Sequence, residues 1–459
     1  GGAIRGVTRR AASTPVGTFL RHAAAALIET RAGVMARDRR HAIVARHLRE
    51  ALEQAGPGFV KAGQLLSVRP DLVPAAWIAE LERLQDTGPT VPFDAIHGVL
   101  RRELGREEDW PFADVDPRPA AAASVAQVHR AVLTREVRPV VGDVLPEGTV
   151  VAVKVLRPGI EDRLAADLAW ARRWARRMAR LPGLAALPAL SALEEIEASA
   201  ARELDLRHEG RVADRFRHDF RDDAIVQVPR VVWPGTTRRV LTSEWVEGWR
   251  LSELGPAERS GIDARALAEH GARAFLRQVL QLGRFHADLH PANLLVTPQG
   301  RICYLDFGIV GHAPPAQRHA IARLLAATAY GDEDLALDAS RALGLDIPDE
   351  VAAAVARDVA ALAERHLRGR TPADVRGYAT GFLDLLRRRG IAIPSGYGLL
   401  VKALLTVEGV ARSLYPDLDV VEVARPEVTR LLASDLADPA TLPERSGRAL
   451  RAGLRQLIG

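Results

Sequence analysis

Short apolar runs stand out against longer stretches of helical spacing. Leu294-Leu295-Val296 and Ile302-Cys303-Tyr304-Leu305 flank Pro298-Gln299-Gly300, a pattern that predicts a hairpin of two apolar strands. Val151-Ala152-Val153-Lys154-Val155 reads as a half-buried strand, and Leu241 to Glu244 as another that runs into Trp245-Val246-Glu247-Gly248. Helical patterns cover Phe59 to Leu66, Leu193 to Phe216, Arg318 to Tyr330 and Leu399 to Leu405, and the C-terminal half reads as helices through Val410. Pro89 to Pro92 and Trp110 to Pro119 read as linkers. Leu181 to Leu190 is apolar but short and broken by Pro182 and Pro188. No run of about 18 apolar residues occurs, so no membrane-spanning helix is predicted.

The predicted hairpin carries chemistry at one end. His286-Ala287-Asp288 and Asn293 precede it, and Asp306-Phe307-Gly308 follows it. Together they form the H-x-D-x-x-x-x-N loop and D-F-G turn of kinase-type phosphoryl transfer. The charge of a nucleotide triphosphate is offset by Mg²⁺ and cationic groups. Hard metals take oxygen ligands, so the amide oxygen of Asn293 and the carboxylate of Asp306 suit Mg²⁺. Asp288 stands where a substrate hydroxyl or a water is oriented. Either motif alone would be a chance match; both around one hairpin are specific.

The basic residues add an independent signal. Lys and Arg total 63, yet Lys61, Lys154 and Lys402 are the only lysines. A lysine kept in so arginine-rich a chain marks a place for a compact ammonium rather than a planar guanidinium. Lys154 falls in the V-A-I-K-like strand whose lysine grips the α- and β-phosphates. Lys61 and Gln64 share a helix face three residues apart, and Gly63 between them permits close approach of another backbone. Lys402 sits in an apolar helical run and reads as structural, its stem lying along a packed surface.

With these residues in view the chain resembles the UbiB/ADCK family of atypical kinase-like proteins, associated with coenzyme Q and related isoprenoid quinones. The resemblance covers roughly residues 50 to 415. It rests on the K-x-G-Q motif at Lys61-Ala62-Gly63-Gln64 with Arg69-Pro70-Asp71 behind it, and on the alanine-rich loop from Ala120 through Ala121, Ala122, Ala123 and Ser124 to Val128. The E-x-D motif at Glu203-Leu204-Asp205, the catalytic loop and the metal turn complete it. It implies an α+β, two-lobed protein-kinase-like fold. A small sheet-containing N-lobe and a mostly helical C-lobe are preceded by an N-terminal helical extension. It also implies ATP or ADP and Mg²⁺ as ligands.

Other kinases place glycines where Ala121, Ala122 and Ala123 stand, and alanine disfavours the left-handed backbone glycine allows. The loop is therefore expected to be stiffer, while its peptide N–H groups remain able to form an anion nest. The alternative is an alanine run that opens a helix. A helical carboxylate should pair with Lys154, and Glu203 and Glu209 are both candidates. The resemblance implies that Glu203 and Asp205 engage the K-x-G-Q segment as well. Leu241 to Gly248 looks like the strand and hinge that hold adenine through main-chain groups of Glu244 and Val246, with the small Ser243 at the back of the pocket.

Composition narrows the class. The chain has 459 residues, 47% hydrophobic, enough for a sizeable core. The domain reading is a helical extension over 1–110, an N-lobe over 115–247, a C-lobe over 248–430 and a basic tail over 431–459. Cys303 is the only cysteine, which excludes a disulfide framework and suits a reducing, cytoplasmic setting. No C-x-x-C occurs, and no His/Cys metal cluster is expected. A net charge of +5, spread as arginines among acids, shows no nucleic-acid module. Arginine clusters such as Arg387-Arg388-Arg389 suit solvated helix faces or peripheral contact with an anionic membrane surface. No A-P-E sequence follows Gly308, so the usual peptide platform is absent. The reading is a Mg²⁺-dependent ATPase or atypical kinase acting near isoprenoid-quinone precursors. The alternatives are a lipid or small-molecule kinase, and a nucleotide-gated lipid-binding protein without turnover.

Overall fold

The computed structural model describes residues 15–31, 37–67, 75–81, 83–84, 90–178, 189–254, 261–330, 332–368 and 372–437. Arg69-Pro70-Asp71, most of Leu181 to Leu190 and the tail from 438 onward lie outside them. The chain folds as two compact units, Gly1–Arg215 with Pro229–Trp245, and Phe216–Val228 with Val246–Gly459.

The first unit opens with helices Pro15–Arg31, Arg37–Ala55, Pro57–Ser67 and Ala75–Leu81. Gly56, at φ +134°, ends one helix, and Pro57, whose fixed φ suits a first helical position, starts the next. Leu52, Phe59, Val60, Leu81 and Leu84 form the apolar core of this helical part. A five-stranded antiparallel sheet follows, and its central strands Ala126–Leu133 and Val150–Leu156 show why a period of two matters. Val151, Val153 and Val155 are fully buried on one face, so Lys154 emerges on the other.

Two boundaries differ from the sequence reading. Trp110 to Pro119 is not a linker: Trp110 and Phe112 are buried, and Phe112–Ala113 pairs with Leu133 and Val132. The helix Phe93–Leu104 packs Ile96, Val99 and Leu100 into the same core, so the sheet lobe begins well before residue 115. Aromatic residues among prolines and acids mimic a loop by composition; burial decides otherwise. The predicted helix from Leu193 to Phe216 is in fact two, Ala189–Glu203 and Leu206–Asp219. The break falls at Leu204-Asp205, where Asp205 Oδ1 accepts the N–H of Arg207 (3.1 Å) and its carbonyl accepts that of His208 (2.8 Å). An aspartate satisfies orphan N–H groups of a first turn better than it continues a helix.

The second unit holds the expected hairpin. Leu294–Val296 and Ile302–Tyr304 pair antiparallel, flanked by Trp249–Arg250 and Val226–Gln227. Gly300 turns it at φ +72°, a left-handed conformation that only glycine adopts without strain. A two-stranded ribbon joins Arg284–His286 to Val310–His312. The rest is helical, from Ala264–Arg277 through Ser395–Leu414 to Val420–Ala437, so the last helix runs past residue 430. Among the described residues no helix is long and apolar enough to cross a membrane.

Candidate active site

In the first unit two lysines take two different glutamates. Lys154 Nζ lies 2.7 and 2.8 Å from the carboxylate oxygens of Glu209, which is buried in the first turn of Leu206–Asp219. Lys61, also buried, lies 2.7 Å from Glu203 Oε1 at the end of the preceding helix. The helix break separates these partners: each glutamate belongs to its own helix. Asp205 does not join the K-x-G-Q segment. Its carboxylate is held by Arg207 Nε and Nη2, both at 2.8 Å, and this bond holds it below the usual carboxylate range. Gln64 Nε2 donates to the carbonyl of Leu84 (3.3 Å). A Cβ on Gly63 would meet Leu84 and Leu52, so it is side chains rather than another backbone that crowd this glycine.

The alanine run opens no helix. Ala121–Ala122 forms a strand paired with Val128 and Gln127, and the chain reverses through Ser124-Val125. The N–H groups of Ala120 and Ala123 donate to the carbonyls of Val128 (2.8 Å) and Ala126 (2.9 Å), which removes both from any anion nest. Among the described non-glycine residues only Asp114 has positive φ, so the alanines keep ordinary extended geometry. The strand Val240–Glu244 places Ser243 opposite Ala152 and bridges it to Val231. The Glu244 N–H already donates to the Arg230 carbonyl (2.8 Å), and its carboxylate binds the Arg230 guanidinium. Val246 begins the second unit.

In the second unit the catalytic loop is tied together by hydrogen bonds. Asn293 Nδ2 donates to the Asp288 carbonyl (3.1 Å) and to Asp288 Oδ2 (3.3 Å). The Leu305 N–H donates to the Asn293 carbonyl (3.0 Å), which brings the D-F-G turn to the same hairpin end. The fully buried His286 connects the two motifs. Its Nδ1 accepts the Asp288 N–H (3.2 Å), so Nε2 carries the proton and donates to the Asp306 carbonyl. Burial holds this imidazole below its ordinary value and hence neutral, while Gln278 Oε1 accepts its backbone N–H (2.9 Å). Phe307 packs against His286 and Phe216, with ring centroids 5.4 and 5.3 Å apart.

These residues suit a hard cation. With its NH₂ engaged by Asp288, Asn293 presents its amide oxygen as the remaining ligand atom. Asp306, whose Oδ1 accepts the Gly308 N–H (2.8 Å), is a carboxylate fixed by the turn. One amide oxygen and one carboxylate, with room left to nucleotide oxygens and water, are a fitting Mg²⁺ donor set.

Two groupings escaped the sequence. Lys402 Nζ lies 3.3 Å from Asp288 Oδ1, so this lysine is not merely a stem on an apolar surface. Its rarity as a lysine was the signal. His22 and His47 bring their Nδ1 atoms to 3.4 Å, with Glu50 Oε2 at 3.6 and 3.7 Å, a grouping with metal-ligand spacing where none was expected. Twenty-five residues and a helix reversal hide it from local pattern.

Residues 83–340 match the ABC1 atypical kinase-like domain, and residues 379–419 match the UbiB helical domain. The chain belongs to the UbiB/ADCK family. This UbiB-type chain is 33% identical to a probable protein kinase UbiB of Marinobacter nauticus over 389 residues, 83% of this chain and 68% of that one. It is 34% identical to ACTIVITY OF BC1 COMPLEX KINASE 3, chloroplastic, of Arabidopsis thaliana, over 84% of this chain and 53% of the relative. A probable protein kinase UbiB of Xanthomonas oryzae is matched over 72% of its length at 34% identity. The chain thus spans between about half and three quarters of the length of these relatives. A Mycobacterium tuberculosis protein solved in complex with erythromycin has the same fold, with a TM-score of 0.53 at 23% identity, covering 79% of this chain and 90% of that one. Lys154, Glu209, Asp288, Asn293 and Asp306 lie within the matched kinase-like domain; Lys61 and Gln64 precede it.

Proposed function

We propose that this UbiB-type chain is a Mg²⁺-dependent ATP-binding atypical kinase or ATPase that supports isoprenoid-quinone lipid biosynthesis. The observation that carries the reading is the Asp288–Asn293–Asp306 constellation on one hairpin end, tied through His286. Asn293 and Asp306 hold Mg²⁺, which when bound offsets phosphate charge and polarises the terminal phosphoryl group. Lys154, oriented by Glu209, grips the α- and β-phosphates. The main chain of Glu244 and Val246 holds adenine, and the stiff segment Ala121-Ala122-Ala123-Ser124 lies along the phosphates. Asp288 accepts the proton of the attacking water or hydroxyl as the new P–O bond forms and the bond to ADP breaks. Lys61 and Gln64 of the K-x-G-Q segment take a catalytic role in this reading, with Glu203 fixing Lys61. The quinone link rests on the family resemblance alone.

The test is phosphate release from Mg·ATP by the full chain, with and without anionic vesicles and phenolic quinone precursors. Asp306→Asn should abolish Mg²⁺-dependent nucleotide binding; a folded variant that binds Mg·ATP like the parent refutes the assignment. Phosphate found on a lipid-like acceptor makes the chain a lipid kinase. Binding of both ATP and lipid without release makes it a gated binding protein.

A further inference from the structure

We propose that Lys402 is the cation that receives the terminal phosphate of the nucleotide, held ready for it by Asp288. The proposal rests on the nucleotide reading above and adds to it an anion site supplied by the helical segment Ser395–Leu414.

The catalytic loop has no cation of its own. Between Phe285 and Gly300 there is neither lysine nor arginine. Arg284, just before it, is bound by the carboxylate of Asp219 (2.6 and 2.8 Å), and Arg301, just after it, by the carbonyls of Asp223 and Val226. Any side-chain cation that joins the Mg²⁺ held by Asn293 and Asp306 in offsetting charge on a transferring phosphoryl group beside Asp288 therefore comes from elsewhere in the fold. Among the described residues, Lys402, 114 residues along the chain, meets Asp288 Oδ1 at 3.3 Å.

Its helix is fixed against the same hairpin. Val407, Ala411 and Leu414 line a small apolar space shared with Leu289 of the loop and Leu294 of the following strand. The position of Lys402 is thus set by packing rather than by the ion pair. The pair itself differs from the other two. Lys61 and Lys154 meet their glutamates at 2.7 Å, with glutamate side chains no more than 10% exposed. Lys402 meets Asp288 at 3.3 Å, and the aspartate side chain is 35% exposed. A longer, wetter ion pair is worth little by itself, so exchanging it for a more highly charged phosphate oxygen is inexpensive. A compact ammonium with three donors can turn from carboxylate to phosphate without moving its helix, which a planar guanidinium does less readily. All three lysines of the chain then end on carboxylates that the nucleotide chemistry or the K-x-G-Q segment uses.

The experiment compares Mg·ATP with Mg·ADP, by calorimetric titration of the full chain and of Lys402→Met and Lys402→Gln, together with phosphate release. ADP lacks only the phosphate in question. The expected result is ADP affinity within about 2-fold of the parent, ATP affinity weaker by about 10-fold, and phosphate release slower by about 100-fold. Lys402→Gln removes the charge and keeps a shorter, polar side chain, and should behave alike if the methionine variant folds poorly. ATP and ADP affinities that move together, or that both stay at the parent values, overturn the proposal and leave Lys402 a structural residue. If the parent releases no phosphate, the turnover reading fails, and a selective loss of ATP affinity in the variants still upholds the Lys402 site.

Discussion

Lys154 and Glu209, 55 residues apart, meet with the ammonium 2.7 and 2.8 Å from the two carboxylate oxygens, while Glu203, six positions before Glu209, turns instead to Lys61. Two candidate carboxylates thus serve two lysines, and their roles separate. Glu209→Gln should weaken Mg·ATP binding by about 10-fold with little change in the thermal midpoint, because the half-buried Lys154 then loses its orienting charge. Glu203→Gln should do the opposite. It strands the buried ammonium of Lys61 and should cost about 3–5 kcal/mol of stability, read by denaturant unfolding. A Glu203→Gln variant of parental stability would mean that the Lys61 pair carries no structural load.

Gly63 lies in the middle of the K-x-G-Q segment with no room for a side chain. A methyl group there would stand 2.8 Å from Leu52 Cδ1 and closer still to Leu84. Gly63→Ala should therefore destabilise the helical part by about 1–3 kcal/mol through overpacking, although alanine is the better helix former. A stabilised variant, measured by urea unfolding, would show that the leucines yield.

Ala121→Gly acts on the strand Ala121–Ala122, whose partner residues are Val128 and Gln127. Removing the Cβ adds backbone freedom at a cost of about 0.5–1 kcal/mol. The expected outcome is a severalfold change in the ATP-to-ADP affinity ratio and more autophosphorylation with labelled Mg·ATP. An unchanged ratio and unchanged labelling would leave the alanine run a structural strand only.

Asp223 gives a pH dependence. Burial alone pushes its carboxyl up, but bonds from His270 (2.8 Å), Val226 (2.8 Å) and Ile225 (2.9 Å) outweigh burial and hold it at about 2. A carboxylate depressed in the folded state adds stability that is fully present above its unfolded value of about 3.9. That stability is lost as pH falls through about 2. Asp223→Asn should thus be less stable than the parent at pH 7 and pH 5, with the gap closing between pH 4 and pH 2. Urea midpoints at these pH values check it, and a gap independent of pH would assign the effect to packing.

Local chemistry was readable because its parts are close in sequence. The hairpin, its Gly300 turn and the placing of Asn293 and Asp306 at one end follow from a few consecutive residues, and Lys154 on the outer face of its strand follows from a period of two. Trp110 and Phe112 were misread because prolines and acids around them look like a linker, and only the core they enter says otherwise. The alanine run was open between helix and nest, and pairing with Gln127 and Val128 excluded the helix.

The sequence alone determined the kinase-like motifs, their order and the family, since each is a short string whose chemistry depends on its neighbours. Only the tertiary structure decided which glutamate takes which lysine, that Asp205 caps a helix, that His22 and His47 meet, and that Lys402 stands beside Asp288. Apart from the Asp205 cap, which reaches only to Arg207 and His208, those pairings join residues tens of positions apart or more, and side-chain direction at such range is set by helix breaks and packing, which no local pattern of letters encodes.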